Sequence, residues 1–257
     1  MTMMISIIIP ALNEEFGIQR TISSVPKAKL NELGCNLEIL VIDGNSTDLT
    51  RDAAMRMGAK VIEEKTRGYG RAIKKGLDEA RGDIIVTLDG DSTYPAQLIP
   101  EYLEKLIAND IDFVTINRFS EVEKGAISFP HKVGNKILSL TLRLLYSIDV
   151  KDSQSGMCLM KRQFIDKINV VSDDFAFCEE LRIIAFKFFR SLELEGKYYR
   201  RIGESKLQTI EHGWTNFVYL FKYKKVVNSS IKPHPQQETI SPISEHLPTP
   251  QNKEVLR

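Results

Sequence analysis

Five short apolar runs, each stopped by a polar turn and four of them followed by a helix-length segment, constrain this chain more than any other feature. Residues 5–9 and 37–42, short and rich in β-branched or apolar side chains, read as buried parallel strands, and 59–63, 84–88 and 112–116 read as three further short strands. Between them helices are expected over 14–24, from an N-cap at Thr47 or Asp48 to about 57, from Gly68-Tyr69-Gly70 to about 80, and from Tyr94 or Pro95 to about 109. Strands alternating with helices require right-handed crossovers, which predicts an α/β fold with a mainly parallel sheet flanked by helices. Ligands on such sheets lie at the carboxyl ends of the strands.

The pattern changes after Arg118. Residues 131–148 set Val133, Ile137, Leu140, Leu144 and Leu145 on one helical stripe, with Lys132, Lys136 and Arg143 between. Residues 208–227 repeat the design with Trp214, Phe217, Val218 and Phe221, then end in Lys222, Lys224 and Lys225. Such helices either close the core or lie at a membrane interface. Five of the ten prolines fall after residue 227, which predicts a domain over 1–227 and a flexible tail over 228–257.

A chain of 257 residues suits one domain with an appendage. Its 35 basic and 34 acidic residues give no electrostatic case for nucleic acid, and none is expected as a partner. Cys35, Cys158 and Cys178 have no metal spacing and read as reduced thiols of a cytoplasmic protein. The first residues lack a basic n-region, and no stretch approaches the ~18 apolar residues of a membrane span. Membrane contact is therefore expected to be peripheral.

Leu88-Asp89-Gly90-Asp91 is the strongest local signal for chemistry. Two carboxylates flanking a Gly suit a hard divalent cation with positions open to phosphate oxygens, although a strand-end turn also favours Asp and Gly. Asp43 ends another strand, and Asn13, Glu14 and Glu15 follow the first, so all should reach one edge. Gly68 and Gly70 allow close backbone approach beside a helix N-terminus that favours anions. A Rossmann dehydrogenase fits poorly, because the first strand runs into Pro10-Ala11-Leu12-Asn13-Glu14-Glu15 instead of a glycine loop. Further on, Asp152–Met157 is a polar loop and Glu179-Glu180 sits at a helix end. Arg200, Arg201 and Lys206 gather around Gly203, as a solvated basic face or as a phosphate grip.

Together these segments resemble glycosyltransferase family 2, with the GT-A (nucleotide-diphospho-sugar transferase) fold, and within it the dolichyl- or polyprenyl-phosphate mannose and glucose synthases. The resemblance rests on Ile7–Glu15, Val41–Asp48, Arg67–Gly70, Leu88–Asp91, Asn117-Arg118, Asp152–Gly156 and Arg201–Leu207, and it spans residues 5 to about 226. It implies metal-dependent, inverting transfer of a hexose or N-acetylhexosamine from a UDP- or GDP-sugar to a polyprenyl phosphate. The implied nucleotide-sugar pocket is Pro10, Leu12, Asn13, Glu14, Asp43, Gly70, Asp89, Gly90, Asp91, Arg118, Arg200 and Lys206. Asp89 and Asp91 would hold Mg2+ or Mn2+. Arg118, His131, Arg201 and Lys206 would hold the acceptor phosphate, and the catalytic roles fall to Asp91, Arg118 and Lys206. His131 stands where relatives often carry Arg, and Thr93 where a further polar ligand often stands.

A lipid phosphate, with a second pKa near ~6, is already ionised and needs no general base. Glu179 and Glu180, where relatives place a base, are therefore expected to position substrate. Two rival readings remain at this level. One is a hydroxyl acceptor (glycan or glycolipid) served by one of these Glu residues, and the other is a non-catalytic sugar-nucleotide-binding protein. The resemblance further implies a peripheral place on the cytoplasmic face of a membrane, with a membrane protein as a possible partner.

Overall fold

The computed structural model describes residues 2–203 and 209–231. Lys206 and the expected tail beyond residue 231 lie outside them. The chain runs β1 (Met3–Ala11), α1 (Glu15–Ser24), α2 (Lys27–Glu32), β2 (Cys35–Asp43), α3 (Thr50–Arg56), β3 (Lys60–Glu63), α4 (Tyr69–Glu79) and β4 (Ile84–Thr87). It continues through α5 (Ile99–Ala108), β5 (Phe113–Val122), α6 (Phe129–Tyr146), β6 (Cys158–Lys161), α7 (Arg162–Lys167), α8 (Ala176–Phe188), β7 (Ser191–Tyr198) and α9 (Thr209–Tyr223).

The strands form one sheet in the order β3-β2-β1-β4-β6-β5-β7. Neighbours are parallel except around β6, which runs against both β4 and β5. The carboxyl ends of β1, β2, β4, β5 and β7 therefore share one edge. Because β6 is reversed, the loop leading into it, 152–157, arrives at that same edge. Register aligns the ends closely: Ala11 pairs with Asp43, and Leu88 N donates to Ile8 O at 3.0 Å.

Side chains alternate across the sheet, and both faces of its central strands are covered, which is why those strands read as largely apolar. Ile5, Ile7, Ile9, Val41 and Val86 pack with Ile18, Leu103 and Leu106 on one side. Ile8, Leu40, Ile42 and Ile85 pack with Ile73, Leu138, Leu142, Leu181 and Leu220 on the other.

Helices α6 and α9 each close the core with one face and leave apolar side chains exposed on the other. At about 100° per residue, Val133, Ile137, Leu140 and Leu144 fall within roughly a 60° arc, and all four are exposed. Leu138, Leu142 and Tyr146 lie opposite them and are buried. α9 likewise buries Asn216, Leu220 and Tyr223 while Trp214 and Phe221 stand 67% and 48% exposed. The Tyr146 hydroxyl donates to the Leu220 carbonyl, joining the two helices. Each helix has two apolar faces, one in the core and one outward. Among the described residues no helix is long and apolar enough to cross a membrane.

Candidate active site at the strand ends

The loops after β1 and β2 are laced together before any ligand is considered. Asn13 takes a left-handed backbone (φ 51°); its N–H donates to Ser46 Oγ at 2.9 Å and its Oδ1 accepts from Thr47 N at 2.8 Å. Glu14 N donates to Thr50 Oγ1, Glu15 N to Asp48 Oδ2, and Leu49 N to Glu15 Oε2. Asn13 and Glu15 thus fix the rim. The α3 N-cap is Leu49, one residue past Asp48, whose carboxylate reaches forward to accept from Thr50 N. Asp43 is fully buried; its Oδ2 accepts from Ser46 N at 3.1 Å and lies 3.6 Å from Arg51 Nε. Its Oδ1 has no hydrogen-bond partner among the described residues. A buried acceptor left open is a place for a donor N–H. Pro10 and Leu12 stand half-buried beside it.

Asp89 and Asp91 follow β4. The Tyr69 hydroxyl donates to Asp89 Oδ1 at 3.2 Å. Gly156 lies so close to the Asp89 carboxylate that any Cβ there would collide with it. Burial pushes the Asp89 carboxyl up to about 7, and the negative charge of Asp91 adds to the rise. Asp91 Oδ1 accepts from the Thr93 hydroxyl at 2.7 Å and from Thr93 N at 3.2 Å, so Thr93 orients this carboxylate. Gly90 tucks beneath the Pro10 carbonyl.

Two neighbouring carboxylates, with the charge of Asp91 adding to the rise at Asp89, form a site that a dication would relieve, and an all-oxygen donor set suits Mg2+ or Mn2+. No group of three possible ligands gathers among the described residues. Remaining coordination would fall to water and substrate phosphate, the usual condition for a phosphate-bridging cation.

Opposite this pair sits Arg118, bound side-on to the buried Asp152 through Nε at 2.7 Å and Nη2 at 2.8 Å. Burial opposes the Arg118 charge, yet the charge and hydrogen bond of Asp152, with Tyr94 and Tyr198, together outweigh it and hold the guanidinium protonated well above its ordinary range. Asp152 is in turn held below the usual carboxylate range despite its burial, because Arg118 stabilises its charge. The rings of Tyr198 and Phe119 flank the guanidinium at 5.5 and 5.8 Å. Two of its three nitrogens being committed, Nη1 is the one that can meet a phosphate oxygen. His131, in the first turn of α6, is half-buried, and burial together with the Arg118 charge holds its imidazole below its ordinary value. Its Nδ1 lies 3.0 Å from Ser128 Oγ.

The segment after β7 runs along the Asp91–Thr93 loop, with Tyr199 N donating to Thr93 O and Ile202 N to Asp91 O. That brings Arg201 between Glu14 Oε1, at 2.8 Å, and Asp91 Oδ2, at 3.7 Å. Arg200 is exposed on the rim, its backbone N bound to Glu123. Gly70, expected to open a phosphate cradle, instead admits the protein's own backbone: a Cβ there would meet Ser172 O at 2.6 Å. The α4 N-terminus is capped the same way, since Arg71 N donates to Asp173 O.

The paired glutamates of α8 are both fully buried. Glu180 accepts from Val171 N, Ser172 N and the Tyr219 hydroxyl, each at 2.9 Å. Burial holds the Glu179 carboxyl protonated well above the usual range, against the weaker pull of Gln154 and Arg182.

Residues 6–168 match the profile described as glycosyl transferase family 2. The chain belongs to this family. Among curated relatives, the low-salt glycan biosynthesis hexosyltransferase Agl6 of Haloferax volcanii is 33% identical over 84% of this chain, which spans 52% of that protein. A dolichyl-phosphate hexose transferase of the same organism is 28% identical over 81% of this chain and 89% of its own length. The dolichol-phosphate mannosyltransferase of Pyrococcus furiosus is 29% identical over 85% of this chain and 62% of its own. A solved glucosyl-3-phosphoglycerate synthase of Mycobacterium tuberculosis, bound to Mn2+, UDP-glucose and phosphoglyceric acid, superposes with a TM-score of 0.67 at 20% identity, covering 87% of this chain and 79% of that one. The fold of this family 2 chain is therefore GT-A.

Among the site residues inferred from sequence, the family 2 fold brings Pro10, Leu12, Asn13, Glu14, Asp43, Asp89, Gly90, Asp91, Arg118 and Arg201 to one edge. Sequence reasoning assigned no role to Tyr69, Thr93 or Asp152, which set Asp89, Asp91 and Arg118. Tyr69 and Asp152 both lie in segments that carry the family resemblance, Arg67–Gly70 and Asp152–Gly156, which is the signal that could have found them.

Proposed function

We propose that this chain transfers a hexose or N-acetylhexosamine from a UDP- or GDP-sugar to a polyprenyl phosphate, with inversion at the anomeric carbon. The observation that carries the reading is the state of the two α8 glutamates. A hydroxyl acceptor needs a base within hydrogen-bond reach of its proton, but Glu180 is spent on three donors, and Glu179 is fully buried, which raises its carboxyl well above the usual range. An ionised phosphate needs only to be held in line behind the anomeric carbon.

On this reading Asp43 receives the nucleobase with its open Oδ1, and Asp89 and Asp91 hold a divalent cation. That cation, when bound, supplies Lewis-acid stabilisation of the departing diphosphate. Arg118, fixed by Asp152, presents Nη1 to a phosphate oxygen, while His131 and the α6 N-terminus stand beside it. Arg201 leaves Glu14 and Asp91 for phosphate as negative charge enters the site. Lys206, three positions after Gly203 in sequence, is proposed as a further phosphate contact.

The outward faces of α6 and α9 explain how such a chain meets a lipid. Phe129, Leu144 and Trp214 are 78%, 73% and 67% exposed, and Lys132, Lys136, Lys222, Lys224 and Lys225 are exposed around them. An apolar patch ringed by cations suits an anionic membrane surface, at roughly ~1 kcal/mol per basic residue.

The test incubates the full chain with labelled UDP- and GDP-sugars and anionic vesicles carrying polyprenyl phosphate, then extracts the lipid. Label should enter the lipid fraction, and replacing Trp214, Phe217 and Phe221 with Ser should lower both vesicle flotation and transfer. Label appearing only on an added glycan, with the lipid blank, would overturn the acceptor assignment.

A further inference from the structure

Tyr69 reaches Asp89 because the start of α4 is strapped down by the segment Val171–Phe175. The Asp173 carbonyl accepts from Arg71 N at 2.9 Å, and its carboxylate pairs with Arg71 and with Lys74. Phe175 stacks on the Tyr69 ring, centroids 5.2 Å apart and planes 18° apart. Gly68, with φ 146°, and Gly70 leave the room this strap occupies, since a Cβ on either would strike the backbone of Asp173 or Ser172.

The other end of the strap hangs on one carboxylate. Glu180 Oε1 accepts from Val171 N, and Oε2 accepts from both Ser172 N and the Tyr219 hydroxyl. Tyr219 lies on α9, the helix whose outer face carries Trp214 and Phe221. A single buried carboxyl group therefore joins the outer helix to the strap, and the strap to the residue that seats Asp89. The Tyr219 hydroxyl fixes the position of the carboxylate to which both strap N–H groups are tied, so losing it frees that carboxylate, and the strap with it, to shift.

We propose that Glu180 is a positioning residue that couples the seating of α9 to the strength of nucleotide binding at Asp89. This rests on the reading of Asp89 as part of the donor site. With Tyr219 on Glu180 the strap is firm and Tyr69 holds Asp89 in place; with α9 loosened, Asp89 loses that support. Coupling of this kind is reciprocal. Nucleotide must also tighten α9, and a surface that holds α9 must tighten nucleotide.

The experiment is a mutant cycle on the full chain, with UDP and GDP titrated calorimetrically in the presence of Mn2+. Tyr219→Phe removes only the hydroxyl at the far end of the linkage, and Tyr69→Phe only the one at Asp89. Each should weaken binding of whichever nucleotide the wild type takes by ~3- to 10-fold. The double variant should lose little more than the worse single one, because both act on one support. Trp214, the single Trp of the chain, reports from α9 itself. Nucleotide with Mn2+ should shift its emission in the wild type and not in Tyr219→Phe.

Glu180→Gln should bind still more weakly, and if it fails to fold, Tyr219→Phe decides. The coupling is overturned if Tyr219→Phe binds as the wild type does, or if the two losses multiply in the double variant. A wild type that binds neither nucleotide removes the donor reading itself, and the coupling with it.

Discussion

Two sets of carboxylates are buried in this molecule, and they have been put to opposite uses. Glu14, Asp43 and Asp91 stand at the ends of β1, β2 and β4, with Asp89 partly buried beside them; Glu179 and Glu180 stand at the start of α8. Burial does not separate the sets. What does is how each is compensated. At the sheet edge Asp43 keeps an open oxygen, and Asp89 and Asp91 face each other as like charges. In α8 one carboxylate is saturated by three donors and the other is kept neutral. A carboxylate is available for ligand when its deficit points to an edge that solute can reach. Depth alone marks nothing.

The largest effect tests the edge set directly. Asp91→Ala, or excess chelator on the wild type, should lower sugar transfer by at least ~1,000-fold, since a Lewis acid on the leaving group supplies several kcal/mol. The thermal midpoint should stay near that of the wild type. Full transfer in excess chelator would erase the distinction between the two sets.

Asp152 lies between the sets, fully buried yet ion-paired, and its removal should act on the fold as well as the site. Asp152→Asn strands the Arg118 charge, which costs about 3–5 kcal/mol in buried pairs. Denaturant unfolding should show that loss, and Arg118→Met in the same background should recover much of it. No recovery would mean that Asp152 acts through its bonds to backbone N–H groups instead of through the charge.

A smaller effect follows from Asp89, whose carboxyl sits at about 7 without metal. Metal must displace that proton, so Mn2+ affinity should rise by ~10-fold between pH 6 and pH 8, then level off. A flat profile by titration calorimetry would show Asp89 already ionised, and the edge set less strained than the geometry implies.

Much of the first set could be read from the sequence because both faces of the sheet are covered. Ile7–Ile9, Leu40–Ile42 and Ile84–Val86 are unbroken apolar runs for that reason. The second set could not be read so well. α8 buries Phe177, Cys178, Leu181, Ile183 and Ile184 on all sides, so no period marks its bounds or the depth of its glutamates. β6 is four residues long and follows a polar loop, and nothing local says that it reverses. Tyr69, Asp152 and Glu180 gain their roles from partners 20, 34 and 39 positions away, distances that only the fold closes. The outer stripe of α6 was legible, but Leu138, Leu142 and Tyr146 on its opposite face were not weighed as a second stripe.

The smallest predicted effect bears on Glu179, and it sharpens the contrast most. If this carboxyl is neutral in the folded protein, an amide of the same shape should replace it with little change. Glu179→Gln should keep transfer within ~2-fold of the wild type, because removing an already neutral group forfeits no charge-assisted bond. Stability should respond more than activity. Burial raises the folded-state pKa of Glu179 well above its ordinary 4.5. Its contribution is therefore complete below pH 4.5 and is lost as pH climbs from there through the folded value, because the unfolded chain ionises first. Glu179→Gln removes that loss. The variant should match the wild type in urea melts at pH 4 and exceed it increasingly toward pH 8, with each unit of pKa shift worth ~1.4 kcal/mol at the upper end. Transfer abolished in Glu179→Gln, with stability unchanged across that range, would mean that Glu179 is ionised and acts as a base. The α8 carboxylates would then belong with those of the sheet edge, and a hydroxyl acceptor would replace the phosphate.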